Sequence, residues 1–106
     1  MYADMNKKTM EYMGKLDDTK KSFMHFMHET LKEGALPTKT KELITLALAI
    51  KSQCDYCISL HVQKCIEAGA EKNEIMETIW VATLMGGGPA LMYGQIALDA
   101  LEELGE

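Results

Sequence analysis

The sequence predicts an all-α fold, in which about five to six helices form one bundle and one domain over residues 1–106. Three observations support this prediction. The alternation of apolar and polar residues that marks a half-buried strand is absent, and valine, a typical strand residue, occurs only twice. Turn signals are widely spaced, which leaves room for helices between them. Hydrophobic residues make up 47% of the chain, which is enough for a packed core.

Two amphipathic helices are expected at the start of the chain. The first covers residues 2–14 and is weakly amphipathic; its apolar residues include Met5, Met10 and Met13. The second lies within residues 16–34, with Asp17 or Asp18 as its N-cap and Gly34 as its stop. Both segments are rich in methionine, a residue that adapts to irregular apolar contacts, so we expect part of this surface in an oligomer interface.

A third and a fourth helix follow. Pro37 and Thr38 open the third helix, with Thr38 as a candidate N-cap, before the stretch LITLALAI of residues 43–50. This stretch is apolar almost all round, so we expect it to be the buried central element. One of residues 52–54 stands near the start of the fourth helix, which Gly69 ends.

The remaining residues form a helix, a break and a final helix. Residues 72–85 carry a broad apolar face, whose members are Ile75, Met76, Ile79, Trp80, Ala82 and Leu84. We expect Trp80 to lie in the core. The run from Gly86 to Pro89 breaks the chain; it does not match a phosphate-binding loop, because no Lys-Ser or Lys-Thr pair follows it. Pro89 suits the first turn of a final helix that reaches about Leu104.

Composition and charge exclude several classes of function. The formal net charge is −5, which argues against a nucleic-acid-binding protein. All eleven basic residues are lysine, so the chain lacks the guanidinium group that best clamps carboxylates or phosphates. No apolar run is long enough to span a membrane, and the first residues do not resemble a signal peptide. We therefore expect a cytoplasmic protein that has neither nucleic acid nor membrane as a partner.

The stretch CDYCISLH, residues 54–61, carries the chemistry of the chain. On a helix with Cys54 at 0°, Cys57 lies at about 300° and His61 at about 340°, so all three share one narrow arc. Cys54 and Cys57 are one turn apart, close enough to form a disulfide. Cys57 and His61 are i and i+4 neighbours, so the imidazole can contact that sulfur. A cysteine near a helix N-terminus has its thiolate favoured by the helix dipole, and the pattern therefore indicates a redox-active dithiol.

Two other interpretations of this stretch remain open. A metal ion is disfavoured, because Cys54 and His61 are about 10.5 Å apart along a helix and no second Cys/His pair accompanies them. The residues would otherwise simply fill a packed helix face, which is the expected role of Cys65. His25 and His28 could line an interface or bind metal, but ordinary packing is the simpler role for both.

Glu42 extends the motif. The pattern of Glu42, eleven residues, Cys54 and Cys57 in C-x-x-C, three residues and His61 resembles the E-x11-C-x2-C-x3-H motif of the AhpD-like proteins, in the carboxymuconolactone decarboxylase superfamily. The resemblance continues through CIEAGAEKNEI and GGGPALMYGQIAL and covers about two thirds of the chain, from Gly34 onwards. It implies an all-helical AhpD-like bundle that assembles as a homo-trimer or homo-hexamer.

The resemblance also implies a thiol-dependent oxidoreductase of the alkylhydroperoxidase or peroxiredoxin-like type. Cys54 and Cys57 would cycle between dithiol and disulfide, His61 would relay the proton of the thiol, and Glu42 would orient His61. We favour Cys57 as the attacking sulfur because His61 adjoins it, whereas analogy with thioredoxin favours Cys54. The implied acceptor is a hydroperoxide or a peroxiredoxin, the implied electron donor is a lipoyl-type or thioredoxin-type dithiol, and no bound cofactor is required.

One residue departs from the fuller AhpD pattern, which has another histidine inside the C-x-x-C where this chain has Tyr56. A phenol does not shuttle protons near neutral pH as an imidazole does, so the complete family relay is not expected. A carboxymuconolactone decarboxylase activity is the alternative enzyme prediction; the dithiol and the absence of arginine both argue against it. A non-catalytic helical oligomer, whose dithiol senses redox state or binds an ion, is the second alternative.

Overall fold

A computed structural model describes residues 1–105 and shows five α-helices, with no strand in that range. The helices are α1 (Tyr2–Lys15), α2 (Thr19–Leu31), α3 (Thr38–Lys51), α4 (Asp55–Glu67) and α5 (Lys72–Leu104). The predicted all-α fold is therefore confirmed. None of these helices combines the length and the apolar character that a membrane crossing requires.

The core lies where α3, α4 and α5 pack on one another. Leu46 and Ile50 of α3 are completely buried, as are Ile58 of α4 and Ile75 of α5. α3 is thus the central helix, as its apolar sequence predicts. It is not buried all round, however, because Leu48 on its opposite side is 61% exposed. Within one chain, α4 and α5 cover only part of its circumference.

The boundaries of α2 and α3 differ from the predicted ones. α2 ends at Leu31, three residues before the expected stop at Gly34, because Lys32 already has an extended backbone (φ −67°, ψ 160°). Pro37, not Thr38, is the N-cap of α3. The Thr38 hydroxyl donates a hydrogen bond to the carbonyl of Leu31 over 2.7 Å, so this side chain ties α3 to the end of α2 instead of capping its own helix.

The predicted break at Gly86–Pro89 is a sharp kink within α5. Gly87 has a left-handed backbone (φ 67°, ψ −153°), a conformation that L side chains rarely adopt. The two arms of α5, residues 72–86 and 88–104, fold back on each other: a Cβ atom on Gly94 would lie 2.7 Å from Cγ2 of Ile79. In a straight helix these two residues would be about 22 Å apart. The five helices therefore contain six straight segments.

Trp80 lies outside the core, contrary to the prediction from the sequence. Its surface is 63% exposed. The first arm of α5 turns a narrow stripe inward, formed by Ile75, Ile79 and Ala82 at helical spacing, and all three are buried. Trp80 lies about 100° around the helix from Ile79, outside this stripe. The apolar face of the arm is wider than the surface that one chain offers to cover it.

α1 is held to the bundle by polar contacts at its start. The Glu103 carboxylate accepts the backbone N–H groups of Tyr2 (3.0 Å) and Ala3 (2.9 Å), so it caps the first turn of α1 from the end of α5. These two bonds lower the pKa of the Glu103 carboxyl to about 2, and the bond from Ala3 has the larger effect. Further along α1, the buried Asn6 side chain hydrogen-bonds with the Ser59 hydroxyl of α4 over 2.8 Å.

Candidate functional site

A buried carboxylate and a buried imidazole meet between α3 and α4. Oε1 of Glu42 lies 2.9 Å from Nδ1 of His61, and the two residues are 5% and 9% exposed. Glu42 stands in the second turn of α3 and His61 in the middle of α4, so their contact requires the two helices to run antiparallel. A short connection makes this possible: after Ser52, Gln53 takes a left-handed backbone (φ 56°) that reverses the chain.

The reversal places Cys54 at the N-cap of α4; it is one of the three residues that the sequence offers for the start of this helix. The N–H of Cys54 donates to the carbonyl of Ala49 over 3.2 Å, which fixes the residue against the last turn of α3. The Cys54 sulfur in turn accepts the backbone N–H of Cys57 over 3.3 Å. A sulfur in this position receives both a hydrogen-bond donor and the positive end of the helix dipole, and both favour a thiolate.

Cys54 and Cys57 form a disulfide, with their Cα atoms 5.2 Å apart. Cys54 is half-buried and Cys57 is exposed. The pair therefore stands at the protein surface, where a second molecule can reach the Cys57 sulfur. The spacing of one helical turn brings the two residues close enough for this bond.

His61 follows the disulfide on α4 and contacts the buried carboxylate of α3. It follows Cys57 by four residues, and helical side chains lean towards the N-terminus, so the turn that carries Cys57 is the neighbouring one on the same face. When Nδ1 carries the imidazole proton, it donates to Glu42 and leaves the lone pair of Nε2 free to accept another proton. A carboxylate that fixes the tautomer of a histidine beside a thiol is the arrangement of an activated nucleophile.

The third cysteine does not belong to this arrangement. Cys65 is fully buried and free, as predicted for a core residue. Burial, and then the negative charges of Glu42 and Glu74, raise its pKa to about 12. A buried thiol with a raised pKa is disfavoured as a thiolate, which is the reactive form, so Cys65 is not suited to the chemistry of this site.

The structure separates the remaining candidates from the dithiol. His25 and His28 are both exposed on α2. Within residues 1–105, no three His, Cys, Asp or Glu side chains converge to hold a metal ion. Tyr56 is 57% exposed and lines a surface cavity with Tyr12 and Met13 of α1.

A residue that lies outside the sequence motif shares a cavity with Glu42. Lys64 of α4 lies at the same cavity as this carboxylate and three apolar side chains of α2. The spacing on α4 indicates its position. Lys64 follows Cys57 by seven residues, which is close to two full helical turns, so the two residues lie on one side of α4.

The comparisons with known proteins agree with this fold. The model of the carboxymuconolactone decarboxylase family matches residues 17–102. An uncharacterized protein encoded in the cox locus of Paracoccus denitrificans is 39% identical over 83 residues, which are 78% of this chain and 75% of that protein. An uncharacterized protein of Cupriavidus necator is 34% identical over 83 residues, 78% of this chain and 74% of that one.

Two solved structures are also similar. A carboxymuconolactone decarboxylase family protein from Legionella pneumophila matches with a TM-score of 0.94 and 37% identity, over 99% of this chain and 97% of that chain. The second is a carboxymuconolactone decarboxylase family protein from Thermotoga maritima, described as possibly involved in the antioxidative response. It matches with a TM-score of 0.82 and 29% identity, over 97% of this chain and 88% of that chain.

Proposed function

Because the chain belongs to the carboxymuconolactone decarboxylase family, we propose that it is an AhpD-like thiol-dependent oxidoreductase that reduces hydroperoxides. Its site consists of Glu42, Cys54, Cys57 and His61. One observation carries the proposal: a disulfide at the start of α4 stands one helical turn from an imidazole that is hydrogen-bonded to a buried carboxylate. The antioxidative link of the relative from Thermotoga maritima points the same way.

The reaction begins with the reduced dithiol. The Cys57 thiol transfers its proton to Nε2 of His61, and the Glu42 carboxylate stabilises the imidazolium that forms. The Cys57 thiolate attacks the terminal oxygen of the hydroperoxide, the O–O bond breaks, and the departing alkoxide takes the proton from His61 to leave as an alcohol. Cys57 is then a sulfenic acid.

The second sulfur closes the cycle. The Cys54 thiol attacks the Cys57 sulfenic acid, an S–S bond forms, and water leaves with the thiol proton. The sum is one dithiol and one hydroperoxide converted to one disulfide, one alcohol and one water. An external dithiol, of lipoyl type or thioredoxin type, restores the reduced state by thiol–disulfide exchange. A peroxiredoxin disulfide in place of the hydroperoxide would receive the same two electrons.

We assign the attack on peroxide to Cys57 and the resolving role to Cys54. Cys57 is the exposed sulfur and the one that precedes His61 by a single turn. Cys54 accepts the N–H of Cys57 and sits at the helix N-terminus, which makes it the better-stabilised thiolate and hence a good leaving group when the disulfide is reduced. A dithiol that must be reduced after each cycle fits a cytoplasmic location.

A carboxymuconolactone decarboxylase activity is the less favoured enzyme function. A dicarboxylate substrate calls for a cationic clamp, and the chain has no arginine to provide a planar one. A non-catalytic redox sensor remains the alternative that the same dithiol would serve. Repeated turnover distinguishes the two, since a sensor is oxidised once whereas an enzyme cycles.

The test measures hydroperoxide consumption by the whole protein with a small dithiol as reductant. We expect many turnovers per chain, no turnover in Cys57→Ser, and turnover close to that of the wild type in the matched variant Cys65→Ser. Peptide mass spectrometry after one equivalent of peroxide should find the disulfide between Cys54 and Cys57, with Cys65 free. A wild-type protein that consumes no more than one equivalent, or a Cys57→Ser variant that still cycles, would refute the proposed enzyme.

We also propose that the chain acts as a homo-trimer or homo-hexamer. Large apolar side chains of α3 and α5 remain exposed in a single chain, namely Leu48, Trp80, Val81, Leu84 and Met85. A patch of this kind is typical of an interface between subunits. Light scattering of the purified protein should give three or six times the chain mass, and Leu84→Asp should lower it. A protein that stays monomeric at high concentration would exclude this assembly.

A further inference from the structure

α2 is a helix that its own chain hardly covers. None of its thirteen residues is buried, and Phe23 and Phe26 are 54% and 65% exposed. These two phenyl groups are three residues apart, so they lie on one side of the helix. The half-buried side chains of α2 lie on the adjacent side, towards α3 and α4 of the same chain; they are Met24, Met27 and Leu31. Two large aromatic side chains left in water on one helix face indicate a contact with another surface.

A groove of about 480 Å³ between α3 and the first arm of α5 offers a surface of matching size. Its lining is mostly apolar, and Leu48, Val81 and Met85 in it are 61%, 60% and 77% exposed. Along α3 the groove extends from Thr40 to Lys51, which is about 16 Å. The segment 20–30 of α2 is about 15 Å long. The α3–α5 groove therefore has the length of the uncovered face of α2.

The α2 of the same chain does not reach this groove. It meets α3 on the side of Glu42, close to Thr38, whose hydroxyl donates to the carbonyl of Leu31 over 2.7 Å. At 100° per residue, the groove residues Ile44 and Lys51 lie about 160–180° around α3 from Glu42. α2 and the α3–α5 groove are therefore on opposite sides of α3, and a helix that enters the groove has to come from another molecule.

The groove has an acidic end and a basic end. α3 and the first arm of α5 run in the same direction, because Lys39 pairs with Glu74 at one end (3.0 Å) and Lys51 lies against Gly86 at the other. Glu77 therefore stands near the end where both helices begin, and Lys51 marks the opposite end. Within residues 1–105, neither Glu77 nor Lys51 has an oppositely charged partner.

The charges of α2 complement these two ends. Lys20 stands in the first turn of α2, three residues before Phe23 and on the same side of the helix. Its ammonium group donates to the carbonyl of Gly14 and meets no carboxylate within residues 1–105. A helix that lies parallel to α3 in the groove brings Lys20 to Glu77 and the negative end of its dipole to Lys51. The antiparallel direction would bring like charges together.

We propose that α2 of one copy of this chain inserts Phe23 and Phe26 into the α3–α5 groove of a second copy, parallel to α3. The inference rests on the proposed homo-oligomer and names its contact. Each chain has one α2 and one groove, so the contact is heterologous, and a rotation of about 120° between copies closes it into a ring of three. The other side of α2 lines a cavity with Glu42, so the neighbouring copy would hold α2 in place beside the pair of Glu42 and His61.

Photo-crosslinking of the whole protein tests this contact directly. A benzophenone amino acid replaces Phe23, and these chains exchange subunits with nitrogen-15-labelled wild-type chains before irradiation. Peptide mass spectrometry should find crosslinks between the two isotopes, from position 23 to Val81 or Met85. The same probe at position 25, in place of His25 and about 160° around α2 from Phe23, is the matched control and should give no such crosslink. Absence of crosslinks from position 23 to the groove of another copy would overturn the proposal.

Two variants separate the inserting face from the receiving face. Phe26→Asp disrupts α2 and keeps the groove, whereas Leu48→Asp does the reverse; both side chains are exposed, so the core is untouched. In fluorescence titrations the two variants should bind each other about 30-fold or more tightly than either binds itself, because only the mixed pair keeps one intact contact. His25→Asp, with the same new charge on the other side of α2, should assemble like the wild type. Equal affinities in all three pairings would overturn the proposal.

Exchange of the two charges tests the direction of α2. Lys20→Glu and Glu77→Lys should each weaken the assembly about threefold or more, and the double variant should recover most of the loss. A double variant weaker than both single variants would overturn the parallel arrangement. A monomeric wild type would refute the homo-oligomer and this contact together, whereas an oligomer whose mass Phe26→Asp leaves unchanged would refute this contact alone. Hydroperoxide turnover enters none of these measurements, so its absence would refute the proposed enzyme and leave the contact standing.

Discussion

The substitution Glu42→Gln isolates the charge of the buried carboxylate. Glutamine keeps the shape of the side chain and an oxygen that can accept the Nδ1–H of His61, so packing is preserved. A neutral hydrogen bond contributes a net ~1 kcal/mol to stability, and one to a charged group about 1.5–3 kcal/mol. The expected loss is the difference, about 0.5–2 kcal/mol at neutral pH. For a domain of this size, the corresponding fall in melting temperature is roughly 2–15 °C.

Thermal unfolding of the oxidised protein measures this loss. Glu42→Ala should cost more, about 3–5 kcal/mol, because it removes the acceptor and leaves a void in contact with the imidazole. Glu102→Gln, an exposed glutamate on α5, is the matched control and should stay within about 0.5 kcal/mol of the wild type.

A second readout concerns the orientation of His61. Nitrogen NMR of the imidazole should find the proton on Nδ1 in the wild type and a mixture of tautomers in Glu42→Gln, because the amide no longer favours a donor at that position so strongly. Turnover of hydroperoxide should fall with it. Two results together would refute this role: Glu42→Gln has the same melting temperature as the control variant, and its imidazole nitrogen signals match those of the wild type. The bond between Glu42 and His61 would then neither stabilise the fold nor fix the tautomer.

Three further predictions concern stability and thiol reactivity. Gly94→Ala should destabilise the protein by about 1–3 kcal/mol in urea unfolding, because the new methyl group would meet Ile79. Gly14→Ala, which has open space around it, should instead stabilise the protein by about 0.5–1 kcal/mol. Equal effects of the two substitutions would contradict the close approach of the two arms of α5. Glu103→Gln should lower the melting temperature above about pH 4.5, and the difference in melting temperature from the wild type should shrink as the pH falls towards 2. The reason is that a carboxyl group with a lowered pKa stabilises the folded state only while it is ionised. A difference that persists at pH 2 would contradict the capping role of Glu103. Cys65 should resist alkylation at pH 8 in the folded protein and react once it is unfolded, because its thiol has a pKa of about 12; labelling in the folded state would contradict its burial.

The local part of the site could be predicted from the sequence because it lies on one helix. Cys54, Cys57 and His61 occupy a single arc at 100° per residue, and their order on α4 follows from spacing alone. Glu42 is different, because it stands on another helix and spacing cannot show which residue it meets. Its identification came from the resemblance to a family motif, and its contact with His61 depends on the reversal at Gln53, which nothing in the local sequence marks as left-handed.

The predictions that were wrong rested on local preference alone, and in one of them a tertiary contact overrides that preference. Thr38 is a good N-cap residue by type, yet its hydroxyl bonds to the end of α2. Gly34 is a natural helix stop, but α2 ends before it, where Lys32 leaves the helical backbone. Trp80 is an apolar residue on an apolar face, yet the inward stripe of α5 contains Ile75 and Ile79, which are buried, and Ile79 packs against Gly94 of the other arm. Periodicity identifies an apolar face but not how much of it a single chain covers.

The surroundings of Tyr56 decide how many groups can move protons at the site. On α4 it lies about 140° around the helix from His61, and its ring lines the cavity formed with Tyr12 and Met13 on α1. It therefore faces away from the side of α4 on which His61 contacts Glu42 of α3. In the proposed reaction, the proton of the Cys57 thiol has one acceptor, Nε2 of His61, and the charge that results has one stabilising partner, the Glu42 carboxylate. No other side chain is assigned to accept this proton or to stabilise the imidazolium. Substitution of His61 or Glu42 should therefore reduce turnover far more than a substitution at Tyr56.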